Sequence, residues 1–349
     1  MKVLYNLLLI YIFISMVIEF STKYRRVSFC MNLFLLTAIS GSIYEKVGLG
    51  GDYDNYRYYF QSLKVGGDYN QEIGFTYLNL IVKQFTNKFS IAFLVFMLII
   101  NFNILYLVYK YSKNIELSLL LYVVVCGFST STNIIRQFIA ASIYFYSIKY
   151  ILDRKYKNYI LISIIAISFH KTVIFPIVVS LVIKKFNDIL NEKYLLYIIL
   201  LNSLFIIEPI IRSIAFRLLE NGYESGAFNY GSNILHYVVQ LAFILFYILN
   251  MKYIKRDKKL KFFVNMATIS LAFTLLSRNN VLYARIASFF NLFHIISVPN
   301  IIIVNENYKE KSLFLYCILI GILIYYSLLI VPSFNDSVGN YIIEYFTRY

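Results

Sequence analysis

Long apolar runs recur along the whole chain, separated by short polar segments that are mostly cationic. The runs cover 3–20, 28–44, 91–109, 116–130, 133–151, 158–169, 172–183, 194–211, 234–251, 262–277, 281–303 and 312–331. A helix needs about 20 apolar residues to cross about 30 Å of hydrocarbon, whereas a barrel strand needs only about 9–11 alternating ones. The run lengths therefore exclude a β-barrel, and the expected fold is an all-α polytopic bundle of about 10–12 transmembrane helices. No stretch is left over for a soluble domain, so residues 1–349 are read as one integral membrane domain. The first run, Val3 to Phe20, lacks a small-residue cleavage site and reads as a retained span.

Two stretches break the simple alternation. Residues 158–183 are long enough for one tilted helix, but His170-Lys171 falls in their middle and cationic segments flank them at 154–157 and 184–185. The stretch is expected to break at His170-Lys171 and turn back as two short halves, which is tolerated where the freed backbone lines a polar cavity. The other stretch is the loop 45–90. Its second part spaces Ile73, Tyr77, Leu80, Ile81 and Phe85 as one helical face, with Lys83, Gln84 and Lys88 among the rest. That pattern predicts an amphipathic helix lying in the membrane interface.

Charge supplies orientation. The chain carries 33 Lys and Arg against 18 Asp and Glu, a net +15. In a soluble protein that excess would suggest nucleic acid. Here it sits in clusters between spans, at 23–26, 110–113, 154–157, 184–185, 252–261 and 309–311, and it marks the cytoplasmic side. The loops 45–90 and 212–233, the short turn near 131–132, the turn at His170, the turn 278–280 and the tail from Pro332 then face outward. Cys30, Cys126 and Cys317 are an odd number in apolar runs with no paired spacing, and are read as core residues.

Ionisable residues inside apolar runs are costly and mark a cavity or a substrate path. Arg136, His170, Lys171, Arg278 and Arg285 lie at the ends predicted to face outward. Arginine pairs bidentately with phosphate oxygens, so Arg136, Arg278 and Arg285 suit an anionic group beside the bilayer. Arg278 and Arg285 are seven residues apart and share a face if their helix extends back that far. His170 has the intrinsic acidity of a general base near neutrality, and Gln137 follows Arg136 and can orient it or bind sugar. Lys171 neutralises phosphate or marks the interface. Asp52 and Asp54 stand among aromatics in GDYDNYRYYF, a usual sugar-binding composition, and Glu72 follows; each is a sugar ligand, an alternative base or a solvated carboxylate. His236 is a weaker candidate at the start of a span, Arg212 and Arg217 lie in the outer loop, and His294 is read as a satisfied core residue. There is no phosphate-loop motif, no dinucleotide fingerprint and no His or Cys metal spacing, so no cofactor or metal is expected and an ATP-driven transporter is excluded for this chain alone.

Several segments, in order, resemble the EpsG family of bacterial polysaccharide polymerases, similar in role to the Wzy polymerases of O-antigen and capsule synthesis. They are GDYDNYRYYF, EIGFTYLNLIVKQF, TNIIRQFIAASIYFYSIKYIL, ILISIIAISFHKTVIFPI and SRNNVLYARIASFF, with NYIIEYF near the end. The resemblance implies a glycosyltransferase, with GT-C-like architecture as one option for its fold. The family would act on the outer face of the cytoplasmic membrane, transferring a growing glycan from one polyprenyl-pyrophosphate carrier to the next lipid-linked repeat unit without metal. His170, Arg136 and Arg285 would be catalytic. Arg278, Gln137, Lys171, Asp52, Asp54 and Glu72 would bind substrate. Expected partners are the polyprenyl-linked donor and acceptor, the bilayer, a flippase and a chain-length regulator, with no nucleic acid. A lipid-linked oligosaccharide flippase and a membrane acyltransferase remain as alternatives. The absence of an evident internal repeat and the gathering of polar residues at one end favour the polymerase.

Overall fold

The computed structural model describes residues 8–12, 14–15, 23–43, 52–64, 66–67, 71–218, 234–278, 280–305, 318 and 321, and among these the only regular structure is helical. The apolar runs 3–20 and 312–331, most of the loop 212–233 and the tail from Pro332 lie largely or wholly outside the described residues. Backbone contacts divide the chain into two compact units, Met1–Leu181 and Val182–Tyr349.

The first unit is built on α1 (Arg25–Ile43), α2 (Asp52–Ser62), α3 (Ile73–Phe85), α4 (Phe89–Tyr111), α5 (Ile115–Val124), α6 (Phe128–Asn133), α7 (Ile135–Leu152) and α8 (Tyr156–Phe169). Helix α7 packs along both α4 and α8, and α1 packs on α4. Small residues make the close approach: Ala140 and Ala141 are fully buried, and Asn103 Nδ2 donates to Ser142 Oγ at 3.3 Å across α4 and α7. At the far end of α7, Lys149 is buried under the faces of Tyr106, Tyr146 and Tyr150, its Nζ 3.6–4.7 Å from the ring centroids. Three ring quadrupoles supply the attraction that water would otherwise give the ammonium.

The predicted span 116–130 and the turn near 131–132 are corrected. Helix α5 ends at Val124, and residues 128–133 form the short helix α6. Between them Gly127 sits at φ +120°, and a Cβ there would stand 2.7 Å from Phe138 Cζ, so the chain turns where only glycine fits.

The predicted break at His170 is present. Helix α8 stops at Phe169, His170 is extended at φ −162° and ψ 118°, Lys171–Val173 form one 3-10 turn, and α9 (Ile174–Glu192) follows. Pro176 gives the local reason, because it has no N–H to continue a helix through Thr172 but is tolerated in the first turn of a new one. The two helices fold back on each other, since Tyr159 Oη meets the Ile177 carbonyl at 3.0 Å and Ser180 Oγ at 2.5 Å. The expected end at 183 is corrected: α9 runs on to Glu192, and Lys184 and Lys185 lie inside it rather than in a loop. Lysine is a good helix former, so a cationic pair does not by itself stop a helix.

The second unit holds α10 (Tyr194–Leu218), α11 (Ile234–Leu249), α12 (Met251–Ile254), α13 (Lys258–Leu276), α14 (Val281–Asn291) and α15 (His294–Val304). Helix α13 is its centre and contacts α10, α11, α14 and α15. Tyr194 Oη reaches Thr268 Oγ1 at 2.6 Å and Tyr197 Oη donates to the Asn265 carbonyl at 2.9 Å, seating α10 on α13. His294 is a core residue as expected. It is fully buried, stacked on Phe243, and meets Tyr247 Oη at 2.6 Å, Ser270 Oγ at 3.0 Å and Gln240 Oε1 at 3.0 Å. Arg212 and Arg217 were expected in a loop, but the backbone of α10 stays helical through Leu218, because nothing between Pro209 and Leu218 interrupts it.

Phe89–Tyr111, Lys258–Leu276 and Leu282–Val304 are long and apolar enough to cross a membrane. Ile115–Val124, Tyr156–Phe169, Tyr194–Leu204 and Leu235–Leu249 are apolar but shorter. Each unit also exposes large apolar side chains: Phe34, Ile160, Leu161 and Ile164 in the first, and Leu195 and Ile199 in the second, are all more than half exposed. A bilayer covers such side chains without cost. Cys126 is buried as expected, whereas Cys30 is corrected to the exposed apolar face of α1; Cys317 lies outside the described residues.

Candidate functional site

Three elements of the first unit bring their ends together. Glu72 stands at the N-cap position of α3, Arg136 is the second residue of α7, and His170 follows the last residue of α8. Glu72 makes no capping bond to its own helix. Instead its carboxyl divides between two partners: Oε2 accepts from Arg136 Nη1, and Oε1 lies 3.0 Å from His170 Nδ1. The sequence places α3 there through Gly74. A Cβ at Gly74 would sit 2.3 Å from Ser168 Oγ and 2.9 Å from the Ser168 backbone, so only glycine lets the first turn of α3 press against the last turn of α8.

Helix α2 closes the other side. The segment expected as an aromatic loop, DYDNYRYYF, is helical. Tyr56 is buried with its ring 5.7 Å from the Arg136 guanidinium and edge-on to Phe75 at 5.5 Å. Tyr59 Oη meets Thr76 Oγ1 at 2.5 Å. Lys83 Nζ donates to the carbonyls of Phe60, Gln61 and Leu63 at 2.6–2.8 Å, satisfying orphan carbonyls at the C-terminus of α2 and favouring its dipole. The predicted amphipathic helix is present as α3. Of its expected apolar face, Ile73, Tyr77, Ile81 and Phe85 are exposed, while Phe75, Thr76, Asn79 and Val82 face the protein.

The electrostatics follow from this arrangement. Burial pushes the Glu72 carboxyl up, but the hydrogen bond from His170 and the charge of Arg136 outweigh it and hold it down at about 2. Glu72 is therefore an anion at neutral pH. The His170 side chain remains 18% exposed and that of Arg136 26%, so the group opens to a ligand. Arg136 Nε and Gln71 Oε1 are buried without a hydrogen-bond partner, a donor and an acceptor.

Not every expected residue joins this group. Gln137 is buried in α7, and Lys171 is exposed in the turn after His170. Asp54 lies half-buried on α2 and makes no ion pair among the described residues; the side chain of Asp52 lies outside them. Arg278 and Arg285 belong to the second unit. The turn expected between their spans is present, and the condition for a common face is not met: α13 ends at Leu276 and α14 starts at Val281, with Asn280 Oδ1 accepting from Leu282 N at 2.8 Å. Arg278 is thus exposed in the turn, and Arg285 is half-buried on α14. Sequence reasoning did not anticipate Tyr56 under Arg136, or Gly74 as the reason Glu72 reaches His170. Among the described residues no cluster of His, Cys, Asp and Glu could hold a metal ion.

Fold and site together define a helical membrane protein whose ionisable residues gather at helix ends beside an apolar surface. The EpsG family profile matches residues 26–347, nearly the whole chain, and the chain belongs to the EpsG family, a family of polysaccharide-polymerase-type membrane proteins. No curated protein and no solved structure matches it.

Proposed function

We propose that this protein is a membrane glycosyltransferase that polymerises polyprenyl-pyrophosphate-linked repeat units on the outer face of the cytoplasmic membrane. The observation that carries the reading is the Glu72 carboxyl bridging His170 and Arg136. With Nδ1–H donated to Glu72, the imidazole presents Nε2 as the basic atom, the tautomer following from the hydrogen bond. In the reaction the acceptor hydroxyl attacks the anomeric carbon of the donor glycan and its proton passes to His170 Nε2. The bond from that carbon to the pyrophosphate oxygen breaks, and polyprenyl pyrophosphate leaves with the electron pair. Glu72 orients the imidazole and stabilises its protonated form, as a buried carboxylate does for a catalytic histidine elsewhere.

Arg136 stabilises the charge that builds on the leaving oxygen, with Tyr56 holding its guanidinium plane. Its Nη1 is engaged by Glu72, so phosphate meets the part of the guanidinium that stays exposed. Arg285, with Arg278, is a second candidate for the pyrophosphate. Lys171 and Gln137 are assigned to substrate binding, and Asp52 and Asp54 to sugar hydroxyls. The pathway around this step needs a flippase to deliver repeat units and a regulator of chain length.

The test is a gel of surface glycan and lipid-linked intermediates from a deletion strain, beside strains complemented with wild type, His170→Ala, Arg136→Ala and Arg285→Ala. Loss of the long-chain ladder with single repeat units retained on the outer face supports a polymerase, and matching profiles from the variants place those residues in its site. Repeat units trapped on the inner face would indicate a flippase instead. An intact ladder lacking only acyl groups would indicate an acyltransferase.

A further inference from the structure

The second unit holds a buried carboxyl that the reaction above does not use. Glu208 is the one acidic residue in the apolar stretch 194–211 of α10 and is 1% exposed. A carboxyl enclosed in an apolar membrane helix is costly and calls for a named partner. That partner is on α14: Tyr283 Oη donates to Glu208 Oε1 at 3.0 Å. The Tyr283 ring also packs on Phe273 of α13, so the first turn of α14 is tied to two helices at once. Arg285 follows two residues later, about 200° further round the helix. Asn280 caps the same turn, and Ser288 Oγ donates to the Arg285 carbonyl at 2.7 Å.

We infer that Glu208 is a positioning residue: through Tyr283 it fixes the first turn of α14 so that Arg285 is presented to the pyrophosphate of the lipid carrier. Tyr283 is anchored, and Arg285 stands half-buried on the opposite side of α14. A guanidinium fork discriminates phosphate geometry only when its backbone is held still, and the ties from Tyr283 to α10 and α13 hold it. The inference rests on the reading of Arg285 as a pyrophosphate ligand.

The test uses full-length protein in phosphatidylcholine nanodiscs, with farnesyl pyrophosphate as the probe and direct binding as the readout. Tyr283→Phe removes one hydroxyl and keeps the ring packing. It is expected to weaken probe binding roughly tenfold, Glu208→Ala to do the same, and the double variant to be no worse than either alone, as for two members of one contact. Glu208→Gln, which still accepts the tyrosine hydrogen, should restore most of the affinity. In an Arg285→Ala background, Tyr283→Phe should cost no further affinity, whereas a purely structural loss would lower thermal stability equally in both backgrounds. Wild-type binding by Tyr283→Phe and Glu208→Ala, with Arg285→Ala impaired, overturns the positioning role alone. Wild-type binding by Arg285→Ala removes the pyrophosphate reading of Arg285, and the inference with it.

Discussion

Glu72→Gln is expected to separate catalysis from folding. The carboxyl sits between Arg136 and His170 and is held at about 2. Against an ordinary carboxyl near 4.5, that position favours the anion in the folded protein by about 3 kcal/mol. Solvent at the open side of the group reduces the usable part to about 1–2 kcal/mol. Glutamine has the same shape and can still accept one hydrogen bond, so the melting temperature in detergent should fall by only a few degrees. Catalysis should fall much further. The amide can turn its NH2 group towards His170 Nδ1, which favours the tautomer whose Nε2 carries hydrogen and cannot act as base. Loss of an oriented base is worth about 10²–10⁴ in rate. The assay is polymerisation of a purified lipid-linked repeat unit, with melting measured on the same sample. Near-wild-type polymerisation by Glu72→Gln, with His170→Ala inactive, would refute the orienting role of Glu72.

Three further outcomes follow from the same geometry. The Glu72 pKa is lowered on folding, so its contribution is complete above about 4.5 and is lost as pH falls towards about 2. An acid titration of melting temperature should therefore show a wild-type decline in that window that is shallower in Glu72→Gln, and identical curves would contradict it. Gly74→Ala should destabilise by about 1–3 kcal/mol and suppress polymerisation, because its methyl group meets the Ser168 backbone; an unchanged melting temperature would show that α3 and α8 can separate freely. His294→Ala leaves the Tyr247, Ser270 and Gln240 side chains short of a partner in a fully buried core and should cost about 2–4 kcal/mol by denaturant titration, against little change if that network is dispensable.

The membrane class was legible because hydrocarbon imposes it on any sequence: apolar runs of span length need no tertiary information to be recognised. The break at His170 was legible for a related reason, since His170-Lys171 cannot continue an apolar helix through lipid and Pro176 permits a new start. The nearness of Arg136 and His170 was half visible, as both lie at the same end of successive helices that fold back on each other. Other features were not visible because they depend on what lies across a helix interface. Lys184-Lys185 and the segment around Asp54 have compositions that suit a loop or a helix equally, and packing made both helical. By contrast, the turn that separates Arg278 from Arg285 was legible, and Asn280 caps the helix that follows it.

The choice of Glu72 over Asp54 was decided only in three dimensions. Both are carboxyls in one stretch, and no local pattern ranks them. Glu72 reaches its partners because Gly74 lets the first turn of α3 touch the last turn of α8, within reach of Arg136 and His170, 64 and 98 residues away. Glu208 and Tyr283, 75 residues apart, likewise meet only through the packing of α10 and α14. Sequence by itself determined the solvent in which this chain folds and the types of residue that solvent would force into partnership. Tertiary structure alone decided which partners they found, because hydrogen bonds and ion pairs act over about 3 Å while the pattern that announces a helix repeats along the chain without regard to its neighbours.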